Sequence, residues 1–430
     1  MYIFRRDSYH YTETIMADVK AWDWIERNKK LPFNEWEGQY QWVEEPYVSP
    51  DGERIAAIVR TEDDLFNVCV NGETWETPFE KIYNLRFSPD GRLTAFVSQD
   101  MEWTVSVEGQ PWENRFGFVW NLMFSKDGSH IGAAYEQDME YAVALDDILW
   151  ENTFPSITNI VMSPDGSQTS ATVQTESLDA AEIAKFKKGI YSPAPGGNPW
   201  ERSFMNVWQN VFNPDGKRLA ADIRLNRSDY TIAVDGKIWE RTFPMVWEPC
   251  FNPVSGEVVA PVLSGGWTLA SDSGLIWKSR FKQLWNQKFS ADGKQLAAIV
   301  SPDFGKWTIA VNDRAWTTRV DEMITDMVIS SDGTGIAAVV KDKGKWGIIV
   351  DDKIWDIDFD MAWQPVFSPD GKHTAAKVEK DGKKYIMLDG SLLPTPYTHL
   401  WNPVFNDTGR KLLIRAITDG EYNRILHILR

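Results

Sequence analysis

The chain has 430 residues, with 45 lysines and arginines against 62 aspartates and glutamates, so its formal net charge is −17. This charge excludes a general nucleic-acid binder, which needs net positive charge or a basic face. The only cysteines, Cys69 and Cys250, exclude a disulfide framework, a cysteine-rich zinc site and a four-cysteine iron–sulfur cluster. Tryptophan is the outlier of an otherwise globular composition, with 22 residues.

Residues 1–29 form an N-terminal extension ahead of the repeated part of the chain. Within it, four apolar residues follow approximately helical spacing: Met16, Val19, Trp22 and Ile25. The extension would dock on a partner, plug a central channel or pack on the fold itself. Trp22 and Trp24 are its candidate partner-binding residues.

The N-terminus also bears on the compartment. Arg5 and Arg6 are not followed by an apolar run of signal-peptide length, and no stretch is long and apolar enough to predict a transmembrane helix. We therefore expect a cytoplasmic protein, for which a peripheral position at a membrane stays open.

A Ser-Pro-Asp-Gly turn, or a close variant of it, recurs through the rest of the chain. Consecutive copies are 37 to 40 residues apart except for one gap of 50, and their glycines are Gly52, Gly91, Gly128, Gly166, Gly216, Gly256, Gly293, Gly333, Gly371 and Gly409. Short apolar runs bounded by Gly, Pro, Asp and Ser surround each turn, which is typical of strands. Four short strands in about 39 residues indicate one propeller blade.

The tryptophans follow the same period. One copy lies 15 residues before the third residue of the turn in most units and 16 before it in one unit, and these copies are Trp36, Trp75, Trp112, Trp150, Trp200, Trp239, Trp277, Trp316 and Trp355. An aromatic relay or a carbohydrate platform is one interpretation. Because the position repeats in nine consecutive units, with Leu393 in place of tryptophan in the next, we expect the rings to fill the wedge between twisted sheets instead.

The two ends of the chain predict how the ring closes. The last unit lacks an outer strand, whereas residues 30–37, with Trp36, precede the first turn without a blade of their own. Residues 30–37 would supply that strand and so remove two free sheet edges. The sequence predicts an all-β fold, a β-propeller of about ten four-stranded blades over residues 30–430. Two five-bladed propellers are the alternative.

The gap of 50 residues marks an insertion in blade 4. Aligning residues 181–184 with residues 231–234 places the extra residues between the third and fourth strands, in a loop at 185–198. A basic, partly aromatic loop on a rigid scaffold is typical of a partner-binding element, and a neutral insertion is the alternative. The candidate partner-binding residues of this loop are Lys185, Phe186, Lys187, Lys188, Ile190 and Tyr191.

The order of strands also predicts the charge of one face. The first and third turns of an up-and-down blade share a face, so the insertion should rise among the turn aspartates Asp146, Asp147, Asp235, Asp351, Asp352 and Asp389. An acidic face with one basic loop would steer a partner of opposite charge. In the alternative interpretation, the aspartates bond to their own backbone on a solvated surface.

Motifs of catalysis or of cofactor binding do not occur in the sequence. There is no G-x-S-x-G elbow, no C-x-x-C-H haem attachment and no P-loop, and the five histidines lack metal-ligand spacing. We therefore expect no enzyme, no metal and no cofactor. A catalytic pair assembled across blades stays open.

The repeated unit Trp-x-x-x-Phe-Ser-Pro-Asp-Gly-x-x-x-Ala-Ala resembles the TolB-type, WD-like propeller repeat over residues 36–430. Ten such units, the tryptophan content, the acidity and the length are together similar to TmcD, a family of tryptophan-rich subunits of the transmembrane cytochrome complex of sulphate-reducing bacteria. The resemblance implies a cofactor-free subunit, peripheral on the inner face of the cytoplasmic membrane. Its implied partners are an iron–sulfur protein, a membrane cytochrome b and a periplasmic multihaem cytochrome c.

Together, these observations predict a non-catalytic scaffold that docks on a membrane-associated electron-transfer complex. Two rivals stay open. One is a propeller that binds a small ligand or glycan in its central channel, and the other is a soluble protein-interaction adaptor.

Overall fold

The computed structural model describes residues 19–61, 65–178 and 182–429. Ten antiparallel sheets follow one another along these residues, and together they form a ring of four-stranded blades, of which blade 4 has three paired strands within the described residues. The predicted all-β propeller of ten blades is therefore confirmed. The ring continues through the middle of the chain, since residues of blades 5 and 6, among them Ile232 and Phe251, share one hydrophobic cluster.

The strands of blades 1 to 5 are short, and the first strand of blade 1 is split in two. Blade 1 consists of Trp42–Val43, Tyr47–Val48, Ile55–Arg60, Phe66–Val70 and Glu73–Thr74. Blades 2 and 3 consist of Lys81–Phe87, Leu93–Gln99, Glu102–Val107 and Gln110–Pro111, then Phe118–Phe124, Ile131–Gln137, Glu140–Leu145 and Ile148–Leu149. Blades 4 and 5 consist of Ile157–Met162, Thr169–Gln174 and Tyr191–Pro193, then Asn206–Phe212, Leu219–Arg224, Tyr230–Val234 and Lys237–Ile238.

Blades 6 to 10 repeat the pattern, and the first strand is split again in blades 9 and 10. Blades 6 and 7 consist of Cys250–Phe251, Val258–Leu263, Trp267–Ser271 and Gly274–Leu275, then Gln283–Phe289, Leu296–Asp303, Lys306–Val311 and Arg314–Ala315. Blades 8 and 9 consist of Met323–Ile329, Ile336–Asp342, Lys345–Val350 and Lys353–Ile354, then Met361–Ala362, Val366–Phe367, Thr374–Lys380, Lys383–Leu388 and Ser391–Leu392. Blade 10 consists of His399–Leu400, Val404–Phe405, Lys411–Thr418 and Glu421–Ile428, joined by Asn28–Leu31.

Small and large side chains alternate in the core between blades. The paired alanines of the second strands, such as Ala297 and Ala298, are completely buried and let neighbouring sheets approach closely. The tryptophans after the fourth strands fill the remaining space: the Trp150 Nε1 donates to Thr169 Oγ1 of the next blade at 3.0 Å. Trp239 likewise packs with residues of the next blade. These contacts confirm the predicted packing role of the repeated rings.

The first strands form the inner wall of the ring. They approach the first strands of neighbouring blades, as those of blades 3 and 4 do, whereas the short fourth strands lie at the far edge of each sheet. Side chains bond these strands across blade boundaries: the Asn210 Nδ2 donates to the Asn159 carbonyl at 3.0 Å, and the Gln287 Nε2 donates to the Glu248 carbonyl at 2.6 Å. The inner wall is thus bonded across at least two of its blade boundaries.

The ring closes through a strand at the N-terminal end, but not the one expected. Asn28–Leu31 pairs antiparallel with Glu421–Ile428, so closure begins inside the predicted extension. The predicted strand over 30–37 is wrong beyond Leu31, because Pro32 has no N–H for the ladder and the chain continues as the helix α1, Asn34–Gln39. Trp36 lies in this helix and is buried.

The insertion of blade 4 is also in a different place. Tyr191 is the first residue of the third strand, since Tyr191–Pro193 pairs with the second strand and Tyr191 bridges Phe204 as Tyr230 bridges Phe243. The extra residues therefore precede the third strand and include the helix α2, Ile183–Lys188. The predicted hairpin between strands three and four is wrong, because the alignment placed the third strand at 181–184, before the inserted residues.

Candidate interaction surface

The ring has two faces, which alternate turns define. The turn face carries the Ser-Pro-Asp-Gly turns and the turns between strands three and four. The insertion face carries the turns between strands two and three and the connections between blades. Because the insertion precedes the third strand, its basic residues lie on the insertion face and not among the turn aspartates. The predicted acidic face with a basic loop is not formed.

On the turn face, the Ser-Pro-Asp-Gly carboxylates bond to their own turns. The Ser125 hydroxyl donates to the Asp127 carboxylate at 2.7 Å, and the Ser129 N–H donates to the same oxygen at 3.0 Å. These bonds, the hydroxyl first, lower the pKa of Asp127 to about 2. The same pattern lowers the pKa of Asp292 and of Asp370 to about 2.

The other turn aspartates hold the blades together. Asp146 accepts the Ile131 N–H at 2.8 Å within blade 3. Asp147, the next residue, accepts the Glu113 N–H of blade 2 at 2.7 Å. Asp146 and Asp147 therefore fit the alternative interpretation, in which the turn aspartates accept backbone N–H groups. A partner would have to compete with these internal bonds.

The predicted residues of the insertion have separate environments. Lys185 donates to the Ser177 carbonyl at 2.8 Å and forms ion pairs with Glu176 and Glu182, at 3.3 Å and 3.6 Å. The Glu176 bond raises the pKa of Lys185. Phe186 is half-buried, and Lys187 and Lys188 are exposed. Of the three lysines, Lys187 and Lys188 remain the better candidates for contact with a partner.

The next two predicted residues have structural positions. Ile190 is fully buried and does not present a contact surface. Tyr191 begins the third strand of blade 4, and its ring lies 6.5 Å from the ring of Phe186 in an edge-to-face arrangement. A deletion that preserves blade 4 must therefore end before Ile190.

Trp22 and Trp24 pack on the ring itself. Their rings stack at 6.1 Å, and the Trp24 Nε1 donates to the Val19 carbonyl at 2.7 Å. Trp24 is buried against Leu413 and Leu426 of blade 10. Of the three roles predicted for the extension, packing on the fold itself is therefore the one that these residues show. Met16 lies outside the described residues, so the predicted helical run is described only from Val19, where a short 3₁₀ turn spans Val19–Ala21.

Two further turns of the insertion face carry exposed methionines, and we call them the methionine turns. Met101 in blade 2 and Met139 in blade 3 expose 88% and 82% of their surface. Both are the second residue of a tight hairpin turn after an aspartate, with φ of 66° for Met101 and 64° for Met139. Blade 4 follows with the exposed Ile183 of α2. Three consecutive blades thus present apolar side chains on one face.

The methionine turns depart from the repeat. The same turn position is glycine in blades 7 to 10: Gly305, Gly344, Gly382 and Gly420, all with positive φ. Glycine adopts this conformation without strain, whereas a residue with a Cβ pays for it. Met101 and Met139 were not among the candidate residues predicted from the sequence. The sequence does contain a signal for them: the second residue of this turn is methionine after aspartate in blades 2 and 3, whereas it is glycine in blades 7 to 10.

No metal or thiol centre emerges from the described residues. The parts of the chain that the structure describes contain no group of three or more His, Cys, Asp or Glu residues arranged to hold a metal. Cys69 and Cys250 are free cysteines, and burial raises the pKa of Cys250 to about 12. In residues 19–61, 65–178 and 182–429, no helix is long and apolar enough to cross a membrane.

By its blades the chain is a ten-bladed β-propeller. No protein-family model and no curated protein matches it. Among solved structures it is similar to a crystal structure of the eukaryotic initiation factor, at 12% identity and a TM-score of 0.48 over 83% of this chain and 96% of that one. It is also similar to the Cps50 (Swd1) β-propeller domain of Myceliophteria thermophila, at 12% identity and a TM-score of 0.31 over 64% of this chain and 98% of that one. A third similar structure is the Dos1 propeller, at 10% identity and a TM-score of 0.36 over 89% of this chain and 92% of that one.

Proposed function

We propose that this propeller is a non-catalytic scaffold that binds a partner protein through the insertion face of blades 2 to 4. The observation that carries the proposal is the pair of methionine turns. Apolar side chains exposed on one face of adjacent blades are available to a partner protein, and apolar contacts form the core of protein interfaces. Methionine also adapts its shape to a partner better than branched side chains do.

Backbone strain supports a binding role for the methionines. A Cβ in the left-handed region costs about 1–2 kcal/mol, and glycine removes that cost in four other blades. Met101 and Met139 gain nothing in exchange within the fold, because their side chains are largely exposed. Strain kept at a surface without internal compensation is typical of functional sites. Lys187 and Lys188 would add charge at the edge of this surface.

The test compares partner capture by two variants of the full chain. In the first, Met101→Gly, Met139→Gly and Ile183→Ser remove the three apolar side chains without straining the backbone. In the matched control, Phe304→Ser removes an 88% exposed side chain from the equivalent turn of blade 7. Extracts of the source cells are passed over each tagged protein, and captured proteins are quantified by mass spectrometry. The proposal is supported if proteins captured by the wild type are retained by Phe304→Ser but lost from the triple variant. Equal capture by both variants contradicts it.

We further propose, from the resemblance in the repeat, the tryptophan content and the acidity, that the partners belong to a membrane-associated electron-transfer complex. They would be an iron–sulfur protein, a cytochrome b and a multihaem cytochrome c, met at the inner face of the cytoplasmic membrane. Affinity purification from gently solubilised native membranes tests this, with visible absorption for haem. Co-elution of haem with an iron–sulfur protein supports this assignment. A colourless eluate without a membrane protein overturns it but leaves the scaffold proposal intact.

A further inference from the structure

A pocket in blade 3 has a composition that no other blade repeats. It has a volume of about 440 Å³ and is lined by Phe118, Trp120, Glu136 and Tyr141. The pocket lies where the first and second strands reach the insertion face, beside the methionine turn of Met139. Three aromatic rings and one carboxylate therefore line an open pocket with room for a small organic group.

The register of the strands brings these side chains together. Glu136 on the second strand is paired with Phe118 on the first strand and with Tyr141 on the third. Phe118 stacks on Trp120 at 6.2 Å, and Trp120 meets Tyr141 edge to face at 6.0 Å. The Glu136 carboxylate accepts the Met139 N–H at 2.7 Å, which orients it. Phe118 keeps 45% of its surface exposed, so the pocket opens to solvent.

Other blades show what occupies the space over the third-strand ring. In blade 8, Lys341 stands at the position of Glu136, and its ammonium lies 5.4 Å from the ring centre of Trp346, the counterpart of Tyr141. In blade 5, the Arg224 guanidinium lies 5.3 Å from the ring centre of Tyr230 in the same way. The propeller thus places its own cation over this ring in two blades.

In blade 9, cations of the chain lie beside the counterparts of Trp120 and of Glu136. Trp363, the counterpart of Trp120, carries the Lys377 ammonium 4.0 Å from its ring centre. Glu379, the counterpart of Glu136, forms an ion pair with Lys384 at 3.6 Å. In blade 9, both the first-strand ring and the carboxylate therefore have a cation supplied by the chain itself.

Blade 3 has the rings and the carboxylate but lacks the cation. The positions that carry Lys341 and Lys377 in blades 8 and 9 hold Glu136 and Ala134 here. Across the described residues, Glu136 pairs with none of the lysines, arginines or histidines. We propose that the blade 3 pocket binds an external organic cation, an alkylammonium or guanidinium group, held by the aromatic rings that line the pocket and by the Glu136 carboxylate.

Such a cation has two possible sources, a free small molecule or the side chain of a partner protein. The chemistry of recognition is the same, since the ring quadrupoles and the carboxylate act on the charged group alone. The site is independent of the proposed docking function, because binding of a free cation can be measured with no partner present.

The probes are choline and its uncharged isostere 3,3-dimethylbutan-1-ol, titrated by calorimetry into the purified full chain. We expect saturable binding of choline that weakens with added salt, and binding of the isostere at least about tenfold weaker. Glu136→Gln keeps the shape and should weaken choline binding by about tenfold. Phe118→Leu opens the pocket and should also weaken it. Glu140→Gln, an exposed carboxylate in the same hairpin, is the matched control and should leave binding unchanged.

Equal binding of choline and its isostere, or equal loss in Glu136→Gln and Glu140→Gln, overturns the proposal. So does the absence of saturable binding for choline, tetramethylammonium and guanidinium together. The source is then resolved by partner capture with Glu136→Gln: reduced capture identifies a partner side chain, and unchanged capture with choline binding identifies a free cation.

Discussion

At the scale of single residues, backbone conformation distinguishes a residue that serves the fold from one that does not. The positive-φ aspartates and asparagines of the turn face tolerate the left-handed region and use their side chains to bond neighbouring N–H groups, as Asn71 does for Ile55 at 2.9 Å. Met101 and Met139 adopt the same conformation without such a bond from the side chain. Their presence therefore costs stability.

This cost makes a prediction for Met139. Met139→Gly should raise the free energy of unfolding by roughly 0.5–1 kcal/mol, because relief of the left-handed conformation exceeds the extra chain entropy that glycine loses. Urea denaturation of the two proteins measures the difference. Met139→Ala keeps the Cβ and is the control, expected to match the wild type. A less stable Met139→Gly would show that the methionine stabilises the fold.

At the scale of elements, ring closure rests on more than the ladder of Asn28–Leu31. Three side chains of blade 10 donate to backbone carbonyls of the first turn, 49–52. Arg415 donates to the Ser49 and Pro50 carbonyls at 2.9 Å and 3.1 Å, Arg424 to the Asp51 carbonyl at 2.9 Å, and Tyr422 to the Gly52 carbonyl at 2.7 Å. Each of the four carbonyls thus has a donor from the other end of the chain.

Arg424 also joins this turn to the extension, so we expect it to contribute strongly to closure. It is fully buried, pairs with Glu53 at 2.8 Å and donates to the carbonyls of Asp23 and Glu26. Arg424→Met should lower the free energy of unfolding by about 3–5 kcal/mol, since it leaves the carbonyls of Asp23, Glu26 and Asp51 without this donor. It also removes one of the two cations that pair with Glu53, the other being Lys29. Arg410→Met, at an exposed site of blade 10, is the control.

Opening of the ring has a second signature. A free strand edge promotes association between molecules, so Arg424→Met should form oligomers in a concentration-dependent way. Light scattering during gel filtration measures this. A variant that stays monomeric and as stable as Arg410→Met would show that the ladder alone closes the ring.

How far the sequence predicted these elements depends on what each signal encodes. The period of the turns is set by one blade, so Gly52 to Gly409 predicted the blade count correctly. Counting alone could not place the insertion, because α2 carries no turn signal and the third strand begins only at Tyr191. The sequence correctly predicted that an N-terminal strand closes the ring, but not which residues form it. The ladder that starts at Asn28 depends on Arg27 and Leu426, which meet only in the folded ring. The pocket at Glu136 needed cross-strand register, which a single sequence does not give.

At the scale of the whole molecule, the same turn carboxylate recurs in several blades, so its small effects on the pH dependence of stability add up. The turn aspartates of at least five blades have pKa values below the ordinary 3.8, and those of Asp127, Asp292 and Asp370 are about 2, because serine hydroxyls and backbone N–H groups donate to them. A carboxyl whose pKa is lowered by folding stabilises the protein above its unfolded pKa and loses that contribution as pH falls through its folded pKa. The stability of the propeller should therefore fall steeply between about pH 4 and about pH 2, as several turns take up protons together.

The serines of the turns provide the test. The triple variant Ser125→Ala, Ser290→Ala and Ser368→Ala removes the hydroxyl that contributes most to each lowered pKa. Its carboxyl pKa values should move back toward 3.8, so its deficit in unfolding free energy should be full near pH 5 and shrink toward pH 2. Urea denaturation across this range gives the difference at each pH. A deficit that stays constant with pH would mean that the hydroxyls stabilise the turns through the backbone N–H bonds they accept, such as that of His130 at 3.0 Å, and not through the ionised carboxylates.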